Sequence, residues 1–198
     1  DQGGTRRSLL TQTTDIMPTL LDMCHIPIPD DVTGKSLLPS LTADQQIRES
    51  VVFGYFGAAI NVCDGRYSYF HYPKVDAAEH LFEYTLMPTR MTARFAIREL
   101  ADATLHPSFS FTKGVPVLRL NPKTDEHGTP VEVQGLSFAD QQSCLYDLSL
   151  DPAQSKPLDD PEIKARMQAY IIDNMIALDA PAESYHRFGF PLPKNNSG

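Results

Sequence analysis

The sequence predicts an α+β fold, because amphipathic helical patterns lie near both ends and short strand-like runs lie between them. The chain has 198 residues, of which 41% are hydrophobic, so it can bury a core. We expect a helix and loop in residues 1–49, an α+β subdomain in 50–180 and a tail in 181–198. Within the subdomain, a small antiparallel sheet is expected to pack against the last helix.

The first predicted helix covers residues 8–26. Ile16, Leu20 and Cys24 recur at i, i+4 and i+8, which forms one apolar stripe. Asp15 is expected to be the N-cap, and Pro18 then occupies the third helical position, where a backbone N–H has no intrahelical partner. The prolines that follow the stripe end the helix.

The middle of the chain predicts several strands, the first at residues 51–56. The next two runs, 60–63 and 66–70, flank Asp64-Gly65, and this dipeptide between strands predicts a type I′ hairpin. Further strands are expected at 81–86 and 144–148, and an edge strand at 115–120. Residues 92–104 have a loosely helical pattern.

The last predicted helix covers residues 161–179. Asp160 is in the N-cap position, Pro161 is the first helical residue and Glu162 lies in the first turn. Its apolar stripe consists of Ile163, Met167, Tyr170, Ile171 and Leu178.

Charge and composition exclude several classes of function. The 17 basic and 25 acidic residues give a formal charge of −8 without a basic cluster, which argues against nucleic-acid binding. No apolar run has the length of a membrane span. Cys24, Cys63 and Cys144 form no metal-binding spacing. Thiols favour a cytoplasmic over a periplasmic location, but the location stays open, because a preceding segment could carry an export signal. Because the chain starts at Asp1 without a methionine or a signal region, we expect it to be part of a longer or processed protein.

The residues by themselves indicate no catalytic centre. The pairs Asp30-Asp31 and Asp159-Asp160 lie in predicted turns and caps, where carboxylates are usually solvated. The sequence contains neither a G-x-S-x-G elbow nor an H-E-x-x-H motif. Residues of this chain are therefore expected to form neither a catalytic nor a metal site.

Three segments carry recognisable motifs. Residues 11–39 contain Asp-x-x-Pro-Thr-Leu-Leu and then Gly-x-Ser-Leu-Leu-Pro, at Asp15, Pro18, Thr19, Leu20, Leu21, Gly34, Ser36, Leu37, Leu38 and Pro39. Residues 51–73 contain a strand followed by Asp64-Gly65-Arg66-Tyr67. Residues 144–167 contain Leu-Tyr-Asp-Leu-x-x-Asp-Pro, at Leu145, Tyr146, Asp147, Leu148, Asp151 and Pro152, with a further match at Leu158. In this order, the segments resemble the C-terminal third of the sulfatases, a family of the alkaline-phosphatase superfamily.

The third segment departs from the family pattern at Gln154 and Pro157, where an acid and an Asn are usual. Residues 83–91 are similar to a stretch of some bacterial members. The resemblance implies a C-terminal subdomain of an alkaline-phosphatase-like fold, in which residues 1–49 pack on a catalytic α/β domain that lies outside this chain.

The resemblance also implies which chemistry the chain lacks. Family members hydrolyse sulfuric esters with a formylglycine made from the Cys or Ser of C-x-P-x-R, and with calcium. Neither the three cysteines nor any serine here starts such a motif. The full-length protein is thus expected to be a sulfuric ester hydrolase, whereas the isolated chain is expected to be inactive.

By resemblance, the chain supports the catalytic domain and the rim of its substrate cleft. Candidate rim residues are Tyr55, Phe56, Asn61, His71 and Arg90. The expected partner is the missing catalytic domain, and the exposed stripe of the 8–26 helix could also mediate self-association. Neither a nucleic acid nor a membrane is expected as a partner. Two alternatives remain open: the same portion of a phosphatase, phosphodiesterase or phosphonate hydrolase, and an interaction module that uses the 161–179 helix and the tyrosine hairpin as contact surfaces.

Overall fold

The computed structural model describes residues 3–73, 81–87, 89, 94–122 and 142–193. Its helices are α1 (Ile16–Met23), α2 (Leu38–Ala43), α3 (Ile97–Ala101), α4 (Pro161–Ala177) and α5 (Ala182–Phe188). Its strands are β1 (Val51–Gly54), β2 (Ile60–Cys63), β3 (Tyr67–His71), β4 (Glu83–Thr85), β5 (Thr104–His106), β6 (Val117–Leu120) and β7 (Cys144–Asp147). Short 3₁₀ turns are present at Thr13–Asp15 and Ser110–Thr112.

The strands form two small sheets, and the predicted α+β class with small antiparallel sheets is confirmed. One sheet has the order β1-β2-β3-β7, and the other has the order β4-β6-β5. β7 pairs antiparallel with β3, and β6 pairs antiparallel with both β4 and β5. The prediction of an edge strand at 115–120 is therefore wrong, because β6 has a partner on each side.

The chain divides into two compact units that interleave along the sequence. The first unit comprises the described residues of Asp1–Phe53, Asn61–Phe70 and Cys144–Ile171. The second comprises those of Gly54–Ile60, His71–Ser143 and Ile172–Gly198. The division predicted from the sequence at residues 49 and 180 stays a prediction.

In the first unit, Asp15 occupies the N-cap position of α1, as predicted, but its side chain has partners other than the helix. The helix is shorter than expected, because a 3₁₀ turn precedes it and α1 itself spans Ile16–Met23. Asp15 directly precedes α1 but does not cap it with its side chain. Its fully buried carboxylate accepts hydrogen bonds from Gln12 N (2.7 Å) and Lys35 N (2.9 Å) and forms an ion pair with the Arg48 guanidinium. A buried carboxylate requires such partners, and Arg48 also binds the side chain of Gln12.

The other residues of the first motif attach the loop after α1 to the helix. The Thr19 hydroxyl donates to Asp15 O (2.5 Å) and accepts from Leu37 N (2.8 Å). The Ser36 hydroxyl donates to the Asp22 carboxylate (2.5 Å). The motif is thus a structural clamp between α1 and residues 35–37.

The second and third motifs meet across the β3–β7 pair. Tyr67 lies opposite Asp147, and Leu148 N donates to Arg66 O (2.8 Å). Arg66 donates from Nη2 and Nε to Asp147 Oδ2, at 2.9 and 3.2 Å. The other oxygen, Asp147 Oδ1, accepts from Ser149 N (2.9 Å) and Ser149 Oγ (2.5 Å). Each motif therefore supplies the partner of the other.

The predicted type I′ turn between β2 and β3 is wrong. That turn requires positive φ at both central residues, but of Asp64 and Gly65 only Gly65 has it, at +96°. Instead, Asp64 Oδ1 accepts from Arg66 N (2.9 Å) and Tyr67 N (2.7 Å). The aspartate side chain closes the turn, as in an Asx turn.

The Asp147 interactions predict an acid-dependent loss of stability. The hydrogen bond from Arg66, together with those from Ser149, lowers the pKa of Asp147 from its ordinary 3.8 to about 2. Since the folded-state pKa lies below the unfolded one, this stabilisation is fully present above about pH 4 and is lost as the pH falls towards 2.

We expect the urea midpoint of the wild-type chain to fall steeply between pH 4 and pH 2, where Asp147 becomes protonated. Asp147→Asn removes the titrating group and should flatten this part of the profile. Arg66→Met should flatten it as well, because it removes the first cause of the lowered pKa. A wild-type slope in both variants would contradict this role of Asp147.

Helix α4 begins as predicted and ends at Ala177. Asp160 Oδ1 accepts from Glu162 N (3.1 Å) and Ile163 N (3.0 Å), which confirms Asp160 as the N-cap. Met167 and Ile171 are fully buried, and Gln168 Nε2 donates to the Tyr69 hydroxyl of β3 (3.2 Å). The first half of α4 therefore packs on the four-stranded sheet, as predicted.

The two tyrosines of the β2–β3 hairpin are part of the core. Tyr69 is fully buried and Tyr67 is nearly so. The guanidinium of Arg166, on α4, lies 5.3 Å from the Tyr67 ring centroid. These rings are thus unavailable as the contact surface that the interaction-module alternative requires.

Helix α1 exposes an apolar face, and the segment predicted to be a tail contains a helix. The apolar side chains of α1 are about half exposed, and this exposed stripe consists of Ile16, Met17, Leu20 and Met23. Residues 182–188, in the segment predicted to be a tail, form helix α5. Of the helices that the structure describes, none is long and apolar enough to cross a membrane.

Candidate functional site

The segment Gly54–Ile60 joins β1 to β2 and is called the aromatic loop here. Tyr55 and Phe56 expose 78% and 52% of their surface. Ala58 N donates to Tyr55 O (3.0 Å), which closes a tight turn. Gly57 adopts φ +82° in this turn, a left-handed conformation that a residue without Cβ adopts at no steric cost. The loop thus presents two aromatic rings to solvent.

Arg187 connects the aromatic loop to α5 within the second unit. Its Nη2 donates to Gly57 O at 2.5 Å, and the residue is only 7% exposed. The guanidinium carbon also lies 5.9 Å from the ring centroid of Phe188. A buried guanidinium requires hydrogen-bond acceptors, and the loop carbonyl is one of them.

His71 also contacts the end of α5. Its Nε2 lies 2.8 Å from Phe188 O, and since a carbonyl accepts, Nε2 carries the hydrogen. The imidazole stacks on Phe190, with centroids 4.6 Å apart and an interplanar angle of 20°. His71 therefore anchors the segment after α5, and its predicted place on the rim stays a prediction.

For the other two predicted rim residues, Asn61 and Arg90, a place on the rim stays a prediction. Asn61 belongs to the first unit and is 8% exposed, and within the described ranges its Oδ1 has no hydrogen-bond partner. Arg90 lies outside the described residues. The structure thus places Tyr55, Phe56 and His71 in one unit and Asn61 in the other.

The opposite end of α5 contacts the three-stranded sheet. The Tyr84 hydroxyl of β4 donates to the Glu183 carboxylate, and Arg119 Nε of β6 lies 3.9 Å from the same carboxylate. Partial burial and this hydrogen bond raise the pKa of Tyr84, so it stays a neutral donor. Arg119 also lies over the Phe82 ring, 3.6 Å from its centroid. Helix α5 therefore lies between the sheet and the aromatic loop.

Sequence reasoning missed both Arg187 and Glu183. They lie in the segment expected to be a tail, and no sequence pattern signals their roles. A weak signal was available, since Pro181 before and Gly189 after the segment are typical of helix ends. Their partners, Gly57 and Tyr84, are 130 and 99 residues distant in sequence.

The aromatic loop presents a surface to which a ligand could bind. Exposed rings on an anchored loop can stack on a flat or cyclic group of a ligand. Across the described ranges, no group of three or more His, Cys, Asp or Glu side chains is placed to hold a metal ion. Cys24, Cys63 and Cys144, all of which the structure describes, form no disulfide bond.

Comparisons with known proteins found similar folds but no related sequence family. No family model matches the chain, and no curated protein matches it. Among solved structures, it is similar to a 2-O GAG sulfatase with 21% identity and a TM-score of 0.47, over 89% of this chain and 27% of that one. A protein described as a putative sulfatase from Bacteroides thetaiotaomicron has 22% identity and a TM-score of 0.46, over 90% of this chain and 27% of that one.

A third similar structure is that of a protein described with a Bacteroides thetaiotaomicron genetic locus, which orchestrates the metabolism of multiple glycosaminoglycans. It has 14% identity and a TM-score of 0.49, over 92% of this chain and 31% of that one. Each of these three matches covers most of this chain, which spans between a quarter and a third of the length of each matched protein.

Proposed function

We propose that this chain is the C-terminal portion of a sulfatase-family hydrolase that cleaves sulfuric esters with groups outside this chain. The observation that carries the proposal is the mutual contact of the motif segments. Asp15, Thr19 and Ser36 of the first motif hold α1 and its loop together, and Arg66 of the second binds Asp147 of the third. The motifs therefore support a scaffold role.

The chain's own residues do not fit the cofactors that the resemblance implies. A formylglycine requires C-x-P-x-R, whereas Cys24, Cys63 and Cys144 are followed by His-Ile-Pro, Asp-Gly-Arg and Leu-Tyr-Asp. The described residues also bring together no acidic or histidine cluster for calcium. We therefore assign both groups to the catalytic part of the longer protein.

The exposed stripe of α1 supports a covering partner for this part of the chain. Ile16, Met17, Leu20 and Met23 present apolar surface on one short helix, and apolar patches of this kind usually mark contacts. We assign this surface to the catalytic part of the same protein. Self-association through the stripe would be the result if that part were removed.

We assign the aromatic loop to the rim of the substrate cleft. Its rings are exposed while its backbone is tethered by Arg187, so the loop can contact a ligand without first becoming ordered. Such a rim binds the substrate equally before and during the reaction. It therefore affects KM rather than kcat.

Tyr55→Ala in the full-length protein should raise KM for a sulfated substrate by roughly threefold to tenfold, because it removes a stacking surface. The value of kcat should stay within about twofold of the wild type. Steady-state kinetics with the purified enzyme measure both constants. Asn61→Ala, predicted from the sequence to act in the same way, belongs in the same series.

Leu150→Ala is the matched control, since Leu150 is 82% exposed but lies in the first unit. Its KM should equal that of the wild type. A wild-type KM in Tyr55→Ala would show that the aromatic loop is not part of the rim. If the full-length protein hydrolysed an aryl phosphate but not an aryl sulfate, its activity would be that of a phosphatase and not of a sulfatase. Turnover of a sulfate by this chain alone would contradict the scaffold role.

A further inference from the structure

We propose that Arg187 is a positioning residue, which fixes the aromatic loop in the conformation that binds ligand. The inference rests on the proposed rim function of Tyr55 and adds a residue to it that does not touch the ligand. It is carried by the buried hydrogen bond from Arg187 Nη2 to Gly57 O at 2.5 Å.

Arg187 contacts the aromatic loop at the glycine that turns it. Gly57 directly follows Phe56 and has the positive φ that reverses the chain. A glycine has more backbone freedom than any other residue, so a loop that turns at glycine requires another constraint to stay ordered. The bond from Arg187 provides this constraint at the carbonyl next to the exposed rings.

Helix α5, which carries Arg187, is held by contacts at both ends. Arg187 lies in the last turn of α5, whose first turn is held by the Glu183–Tyr84 hydrogen bond. The helix end is held by the contact of Phe188 O with His71 Nε2 (2.8 Å). Because α5 has these contacts on either side of Arg187, the guanidinium can hold the loop against a fixed element.

Loss of the hydrogen bond from Arg187 is expected to weaken the binding of ligand to the loop. Without its tether, the loop should occupy the binding conformation for only part of the time, and apparent affinity falls in proportion to that fraction. Loss of Arg187 should therefore raise KM without lowering kcat. A purely structural residue would instead lower the amount of folded enzyme and leave KM of the remainder unchanged.

The first experiment measures hydrogen exchange in the full-length protein for Arg187→Met and Arg187→Lys. The amide of Ala58, which bonds to Tyr55 O, should exchange about tenfold faster in Arg187→Met, with an intermediate rate in Arg187→Lys. Amides of β6, in the same unit, should keep their wild-type rates. If Arg187→Met does not fold, Arg187→Lys, which keeps the charge, provides the comparison.

Arg166→Met is the control, because the Arg166 side chain is 48% exposed and pairs with Asp64 (3.0 Å) in the first unit. It should not change exchange in the peptide that covers residues 54–60. Wild-type exchange of this peptide in Arg187→Met would overturn the positioning role, whatever reaction the full-length protein catalyses.

The second experiment is a double-mutant cycle on KM. Arg187→Met should raise KM by about threefold to tenfold in the wild-type background and have no further effect in Tyr55→Ala, because both changes remove the same contact. Equal effects in the two backgrounds would overturn the proposal. A wild-type KM in Tyr55→Ala alone would instead refute the rim function, which separates the two failures.

Discussion

Replacement of Arg48 by Met is expected to destabilise the first unit by about 3 kcal/mol, since it leaves the Asp15 carboxylate buried without its cation. Asp15 is fully buried, and the Arg48 side chain is 9% exposed. The expected loss is at the lower end of the range for broken buried ion pairs, because Gln12 N and Lys35 N still donate to the carboxylate. Urea unfolding, followed by circular dichroism, measures the change.

The Arg7–Asp44 pair in the same unit provides the control. Its two charged groups are 2.8 Å apart, but the Asp44 side chain is 63% exposed. Arg7→Ala should therefore cost less than about 1 kcal/mol. Equal losses in the two variants would show that burial of Asp15 does not determine the energetics of the first motif.

Elements with local signals were predicted well. The cap at Asp160 and the proline after it define the start of α4, and both act within one helical turn. The runs at 60–63 and 144–148 correspond to β2 and β7, since a short run of strand-forming residues is also a local property. Predictions of this kind need no knowledge of the partner strand.

Elements that depend on distant partners were predicted less well. The position of β6 between two strands follows from pairing with β4 and β5, which the sequence of residues 115–120 does not reveal. Asp15 resembles an N-cap in sequence, but Arg48, 33 residues later, engages its carboxylate. In both cases the decisive contact is remote in sequence.

The candidate site likewise contains residues with a local sequence signal and a residue whose contact is remote in sequence. By resemblance, Tyr55 and Phe56 near the end of the first strand were expected on the rim; the structure exposes both, and their place on the rim stays a prediction. Arg187 was missed because it is a single basic residue, and its importance comes from Gly57, 130 residues earlier. A local pattern can thus identify the exposed rings but not the residue that tethers them.

Gly34→Ala is expected to have the other large effect, a destabilisation of about 3 kcal/mol. A Cβ at Gly34 would lie 2.0 Å from Thr14 O and 2.6 Å from Thr14 C. Both are backbone atoms of the turn that leads into Asp15, so they cannot move without disturbing the hydrogen bonds to the carboxylate. The glycine of the first motif is therefore required for close approach of two backbone segments.

Gly114→Ala separates this clash from the general cost of replacing a glycine. A Cβ at Gly114 meets nothing within 4 Å, although the residue has φ +74°. Only the left-handed strain of about 1–2 kcal/mol is expected there. Thermal unfolding of both variants provides the comparison, and the midpoint of Gly34→Ala should be the lower. If Gly34→Ala were as stable as Gly114→Ala, the loop after α1 would not be held against Thr14, and the clamp would not explain the first motif.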